Sequence, residues 1–292
     1  MSKYRNFKII KGNTTLDLMG EELFLYSPSG LGMQNAFQYL DMGGYFSEYS
    51  RNISQMQPNG TFIFTPDSEP YAKYQEVMNF ILGADNLILG YQPKELDWYY
   101  ARVNIVSADK TELNDAGILE VPVVFDMLSA WYLDSELEYS TGSYTGDNVY
   151  PYTYSDTYPT DIDAGVITVT PNAQMDCDWT IRVKGTATNP VIKVYTDGEL
   201  VGVVDLTGLT LEAGQELIFT TIPTQDLLKT AGAYLYTGGT YTNISTQIIP
   251  NPNYPAFKQI AGGYDTKFAL NTGDIYGLPE FSVKVRQYYR TV

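Results

Sequence analysis

The chain has 292 residues, a mass of 32.7 kDa and a formal charge of −16 from 18 Lys and Arg against 34 Asp and Glu. That length suits two domains of ordinary size. An apolar content of 44% supplies a core, and 26 Tyr with 25 Gly and only 18% charged residues favour sheets and turns over helical bundles. A pI near 4.3 argues against a nucleic-acid binder, because phosphate contacts need clustered Lys and Arg. The absence of histidine removes Ser-His-Asp and Cys-His catalysis, histidine-ligated zinc and imidazole acid-base chemistry, and the lone Cys177 removes intrachain disulfides and thiolate zinc clusters.

No apolar signal-peptide core follows the polar start of the chain, and no run approaches the ~20 apolar residues that span a bilayer. The expectation is a soluble protein made in a cytoplasm, with no membrane partner.

In chain order, Leu23-Phe24-Leu25-Tyr26 reads as a short strand closed by the turn Ser27-Pro28-Ser29-Gly30. Thr61–Thr65 is a second strand. Ser68 can then cap a helix with Glu69 and Pro70 in its first turn, and Gly83 ends it. Tyr71, Tyr74, Val77, Met78, Ile81 and Leu82 recur at spacings of three and four, so they share one helical face. Strands follow at Leu87–Tyr91, Trp98–Val106 and Ile118–Met127.

Residues 134–165 carry seven acids among Ser, Thr, Gly and Tyr with no basic residue, the texture of a linker or exposed loop. Beyond it the pattern is almost all strand. Trp179–Lys184 alternates as a half-buried strand does, with Trp179 expected in the core. Val191–Thr196 and Glu199–Asp205 flank Asp197-Gly198, a strong hairpin signal. Glu216–Ile222 and Thr266–Leu270 continue the set, which suggests a β-sandwich. The final strand, Phe281–Arg290, carries three positive charges and can pair back with the first domain or with a neighbouring subunit. The expected fold is mainly β. It places an N-terminal β-sandwich-type domain with one α-helix over 1–138, an acidic linker over 139–165 and an antiparallel β-sandwich over 166–278, with the last strand, 279–292, as the returning element.

Candidate chemistry is thin. Gly30-Leu31-Gly32 lacks the third glycine, the βαβ setting and the lysine of a nucleotide loop, so a turn is the better account. Asp161 and Asp163 precede a glycine but complete no calcium ligand set. Asn271-Thr272-Gly273 has an amide where an aspartic protease needs its acid. Cys177 stands between Asp176 and Asp178, two carboxylates that would raise its thiol pKa rather than activate it, and a small core residue is expected. A pair of acids of glycosidase type is permitted by the composition but marked by no segment. Tyr150, Tyr152, Tyr154 and Tyr158 could stack on sugars or form one face of a strand. No catalytic, cofactor or metal residue is assigned.

Several segments in this order resemble the distal tail proteins (Dit) of phages with long non-contractile tails. They are Tyr26-Ser27-Pro28-Ser29-Gly30-Leu31-Gly32, then the strand, helix and strand at Thr61–Thr65, Ser68–Leu82 and Leu87–Tyr91, and then Val123–Tyr132 with its aromatic pair. In the second half, Gly185–Ile192, Leu211–Phe219 and Phe268–Gly273 are similar to strand entries of that family's galectin-like sandwich, with Gln215 where an acid is usual. The resemblance implies a structural, non-enzymatic virion protein: a homohexameric ring of N-terminal belt domains with galectin-like domains outside. It also implies partners: the major tail tube protein, the tail-tip hub and receptor-binding proteins, with DNA passing through the channel unbound. The strong negative charge suits such a passage, and acidic side chains are expected along its lumen. The histidine of a sugar-binding galectin site is missing, so lectin activity is not implied. The competing reading is a carbohydrate-binding or glycan-cleaving β-sandwich.

Overall fold

The computed structural model describes residues 5–32, 35–53, 55–66, 69–82, 87–94, 96–133, 139–141, 163–222, 230–272 and 279–291. The chain divides into two compact units, Met1–Leu133 with Tyr289–Val292 and Asp134–Tyr288. Each owns a hydrophobic core.

The first unit contains β1 (Arg5–Lys11), β2 (Thr14–Asp17), β3 (Leu23–Ser29), β4 (Asn35–Asp41), β5 (Phe46–Ile53), β6 (Asn59–Phe64), α1 (Pro70–Ile81), β7 (Leu87–Pro93), β8 (Tyr99–Ala108), β9 (Leu119–Met127) and β10 (Trp131–Leu133). Its main sheet is antiparallel in the order β2-β1-β7-β8-β9-β6-β3. β10 pairs beside β8 through Tyr132 and Tyr100, past the end of β9. The sheet curls until its first and last strands meet through Leu18, whose N–H donates to the Phe7 carbonyl at 3.0 Å while its own carbonyl accepts from the Leu25 N–H at 2.8 Å. The period-2 alternation of Leu119, Val121, Val123, Phe125 and Met127 gives β9 one continuous inward face, packed with Phe7, Ile9, Phe62, Phe64 and Trp131.

α1 covers this core with Val77 and Ile81 buried, and the Phe64 and Tyr74 rings meet edge to face at 6.0 Å. Its start differs from the sequence expectation. The residue ahead of Pro70 is Glu69, at φ 36°, whose side chain makes no cap, and proline's fixed φ suits the first helical position. Ser68 and Gly83 lie outside the described residues. Tyr71 and Leu82, expected on the inner face, are exposed, and Phe80 packs partly there instead.

The second unit contains β11 (Tyr139–Thr141), β12 (Asp163–Val169), β13 (Asp178–Lys184), β14 (Ala187–Thr188), β15 (Val191–Thr196), β16 (Glu199–Asp205), β17 (Thr210–Leu211), β18 (Glu216–Thr220), β19 (Gly232–Thr237), β20 (Thr240–Asn243), β21 (Thr266–Asn271) and β22 (Glu280–Tyr289). One sheet runs β11-β22-β13-β18-β19-β20 and the other β12-β21-β15-β16, both antiparallel, with β14-β17 as a small ribbon. Their inner faces enclose Trp179, Ile181, Val183, Ile192, Val194, Leu217, Phe219, Phe268, Leu270, Val283 and Val285. This is a β-sandwich. The Asp197-Gly198 turn closes β15 on β16 with both residues at positive φ, 52° and 83°, the backbone that a two-residue hairpin with matched twist requires.

Candidate functional site

The first unit carries a surface element that packing does not account for. β4 and β5 form a two-stranded ribbon whose only substantial neighbour among the described residues is its own partner strand. Every side chain from Phe37 to Tyr49 is exposed, including Tyr39 at 57%, Tyr45 at 64%, Phe46 at 72% and Tyr49 at 71%. Residues opposite one another across an antiparallel pair share a face. The pairing of Tyr39 with Glu48 and of Asp41 with Phe46 therefore collects Phe37, Tyr39 and Phe46 on one side. The Phe37 and Tyr39 rings stack there at 5.9 Å. The opposite side carries Gln38 with Ser50 and Leu40 with Ser47.

The ribbon is built to hold its shape. At the tip the Met42 N–H donates to the Tyr45 carbonyl at 2.9 Å and the Gly43 N–H to Asp41 Oδ1 at 2.8 Å, with Gly43 and Gly44 at φ 75° and 139°. At the root a Cβ on Gly30, which sits at φ 74°, would lie 2.9 Å from the Gln57 carbonyl oxygen, so only glycine lets the two legs approach. The outgoing leg is held by the Trp131 indole N–H, which donates to the Leu31 carbonyl at 3.1 Å. The returning leg is held by Gln55 Nε2 on the Met127 carbonyl at 3.1 Å and Gln57 Nε2 on Asp126 Oδ1 at 2.7 Å. Gly30-Leu31-Gly32 thus connects β3 to β4 at the ribbon's root.

Sequence reasoning passed over 35–53. The signal was present: Phe37, Gln38 and Tyr39 alternate, and Asp41-Met42-Gly43-Gly44 is a turn sequence.

Elsewhere the predicted positions fall as follows. Trp179 is in the core, stacked on Phe219 at 5.0 Å. Cys177 is fully buried, and its thiol is pushed up to about 11, chiefly by burial; the carboxylates of Asp176 and Asp178 add smaller contributions in the same direction. Asp178 is itself buried, its Oδ1 accepting from Thr221 Oγ1 at 3.1 Å and Gln259 Nε2 at 3.0 Å and its Oδ2 from the Tyr288 hydroxyl at 2.7 Å. Asn271 is buried in β21. Tyr150, Tyr152, Tyr154, Tyr158 and Asp161 lie outside the described residues, and of Asp163 only the backbone, opening β12, is described. Among the described residues no three metal-binding side chains converge, and no helix is long and apolar enough to cross a membrane. A shallow cleft of about 440 Å³ between α1 and the loop after β8 is lined by Tyr71, Tyr74, Gln75, Lys110 and Glu112. Tyr71, Glu112 and Lys110 already engage one another there. The Tyr71 hydroxyl donates to Glu112 at 2.6 Å, which holds the phenol above its ordinary range, and Lys110 Nζ sits 4.5 Å from the Tyr71 ring.

The Cys177 thiol has a testable consequence. A folded pKa raised above the unfolded value favours the protonated thiol in the folded state. The associated stabilisation is complete below pH 9 and is lost as pH rises toward 11. Cys177 should resist thiol reagents at pH 8 in the folded protein and react on unfolding. Between pH 9 and 11 the wild type should lose more stability than Cys177→Ala, a comparison that cancels the tyrosines titrating in the same range. Rapid native labelling would contradict the buried placement.

Comparison with known proteins matches residues 6–128 to the family model for the distal tail protein, N-terminal domain. No curated protein matches the chain by sequence. Among solved structures, a chain of the phage P2 baseplate in its activated conformation with Ca is 16% identical, with 99% of each chain covered and a TM-score of 0.65. The crystal structure of phage SPP1 Dit (gp 19.1) is 11% identical, with 96% of this chain and 98% of that chain covered and a TM-score of 0.61. At these identities the two structures show a shared fold running through both units. The first unit thus matches the N-terminal domain of the distal tail proteins in sequence, and both units share the fold of these two structures.

Proposed function

We propose that this chain is a ring-forming structural protein of a phage tail tip, with no catalytic role. Six copies would close through their first units, and the sandwich units would be displayed outward. In this reading the ring joins the tail tube protein to the tip hub and to receptor-binding proteins in the virion, after synthesis in the host cytoplasm. DNA passes its acidic lumen without specific binding. The observation that carries the proposal is the fold itself. The first unit matches the distal tail protein domain, and the whole length, second unit included, follows a phage P2 baseplate chain. A repeated heterologous contact is the physical requirement for such a ring.

Negative-stain microscopy and light scattering of the concentrated protein test it. Six chains of 32.7 kDa give an annulus of roughly 196 kDa with an open centre. Particles of one chain's mass at every concentration would overturn it.

A further inference from the structure

We infer that the cleft between α1 and the loop after β8 is a binding site for one neutral sugar ring, held beside Tyr71 and hydrogen-bonded by Gln75, Lys110 and Glu112. The inference goes beyond the ring reading above and does not depend on it.

The helix supplies one wall. Tyr71, Tyr74 and Gln75 stand at positions i, i+3 and i+4 of α1, so all three project from one side of it. The Tyr74 ring is fixed edge to face on Phe64. Tyr71 stays out of the core and is 37% exposed. The loop supplies the other wall, and its backbone is braced. The Asp109 N–H donates to the Pro122 carbonyl at 2.9 Å and the Thr111 hydroxyl to the Glu120 carbonyl at 2.5 Å. Asn114 Oδ1 accepts from the N–H groups of Ala116 and Ile118 at 3.0 and 3.1 Å. The Tyr71–Glu112 hydrogen bond then ties the two walls together, so the cleft has its shape before a ligand enters.

The groups left unspent define the ligand. Tyr71 uses only Oε2 of Glu112. Among the described residues, Glu112 Oε1, the Lys110 ammonium, the Gln75 carboxamide and the Tyr74 hydroxyl have no hydrogen-bond partner. A donor, an acceptor and two groups of both kinds thus line about 440 Å³, within the roughly 300–1,000 Å³ usual for small-molecule sites. Hydroxyls, which donate and accept at once, suit such a mixed set. Charge narrows the choice further. Lys110 and Glu112 cancel, so the lining is neutral on a chain of −16, and an ion of either sign would meet its like. An aliphatic ligand would strip water from these polar groups and return no hydrogen bond. A pyranose offers both adjacent hydroxyls for the polar groups and an apolar C–H face for a phenol ring.

Saturation-transfer NMR on the purified full chain tests this, with glucose, galactose, mannose and N-acetylglucosamine as probes. Glycerol serves as a probe with hydroxyls but no ring. At least one sugar should bind and glycerol should not. Gln75→Ala/Glu112→Ala should raise the dissociation constant of that sugar at least about tenfold, the effect of losing two hydrogen bonds, and Tyr71→Ala should weaken it too. Tyr264→Ala, which removes an exposed tyrosine of the second unit, should leave it unchanged. All four substituted side chains are exposed, so the thermal transitions should not move. Binding weakened in the cleft variants and kept in Tyr264→Ala supports the site. It is overturned if none of the four sugars binds, or if a sugar binds the cleft variants as tightly as the wild type. Glycerol binding as tightly as the sugars, or an equal loss in Tyr264→Ala, would overturn it as well.

Discussion

Trp179→Ala should cost the second unit about 3–5 kcal/mol, the range for removing a fully buried tryptophan. Trp179 is 1% exposed and stands at the centre of an aromatic group, stacked on Phe219 at 5.0 Å and edge-on to Phe268 at 5.3 Å. Its indole N–H donates to the Lys258 carbonyl at 2.9 Å and so ties the long loop before β21 to β13. Its backbone is bracketed by Thr221, which accepts from the Trp179 N–H through Oγ1 at 2.9 Å and donates its own N–H to the Trp179 carbonyl at 3.0 Å. Truncation removes the packing, opens a cavity between the sheets and orphans the Lys258 carbonyl. Trp179→Phe keeps most of the volume and loses the hydrogen bond, so a smaller cost of about 1–2 kcal/mol is expected. Calorimetry reads the result. Because each unit has its own core, the transition of the second unit should fall by on the order of 10 °C while the first holds its place. A transition that does not move would show that the Trp179 site is loosely packed.

What the sequence made legible was local. β9 was readable because an alternating strand with one buried face writes its period into the residues, β13 for the same reason from Ile181 onward although Asp178 and Thr180 are buried as well, and β15–β16 because Asp197-Gly198 can adopt two positive φ values in succession. The closure of the first unit through Leu18 was not readable. It joins Phe7 to Leu25 by backbone bonds that no side-chain pattern encodes. The helix start went astray for a related reason: Ser68 has the right chemistry for a cap, but the chain enters Pro70 through a left-handed Glu69. For Cys177 the sequence showed the direction and a smaller cause of the shift. Neighbouring acids are visible in sequence, whereas burial, the larger cause, depends on the distant pairing of Cys177 with Ile260. The β4–β5 ribbon was missed although its alternation and glycine turn were present, because such patterns are usually sought as the half-buried strands of a core. From Phe37 to Tyr49 this ribbon is exposed on both faces, a departure from that pattern.

The root of that ribbon makes the second large prediction. Trp131 is fully buried in the core of the first unit, 5.8 Å from the Tyr91 ring, and its indole N–H reaches out of the core to the Leu31 carbonyl. One side chain therefore serves both the core and the outgoing leg. Trp131→Ala should destabilise the first unit by about 3–5 kcal/mol, as Trp179→Ala does the second. Trp131→Phe separates the two roles: it fills most of the space and restores most of the stability, yet it leaves the Leu31 carbonyl without its donor. The returning leg keeps its own anchors in Gln55 and Gln57, so the ribbon should persist but swing on one leg. Amide hydrogen exchange over 35–53 should then quicken in Trp131→Phe while exchange in β9 stays near wild type. If the ribbon's amides exchange at the wild-type rate, the indole bond is incidental to its root. The anchoring would then belong to Gly30, where the close approach to the Gln57 carbonyl leaves no room for a side chain.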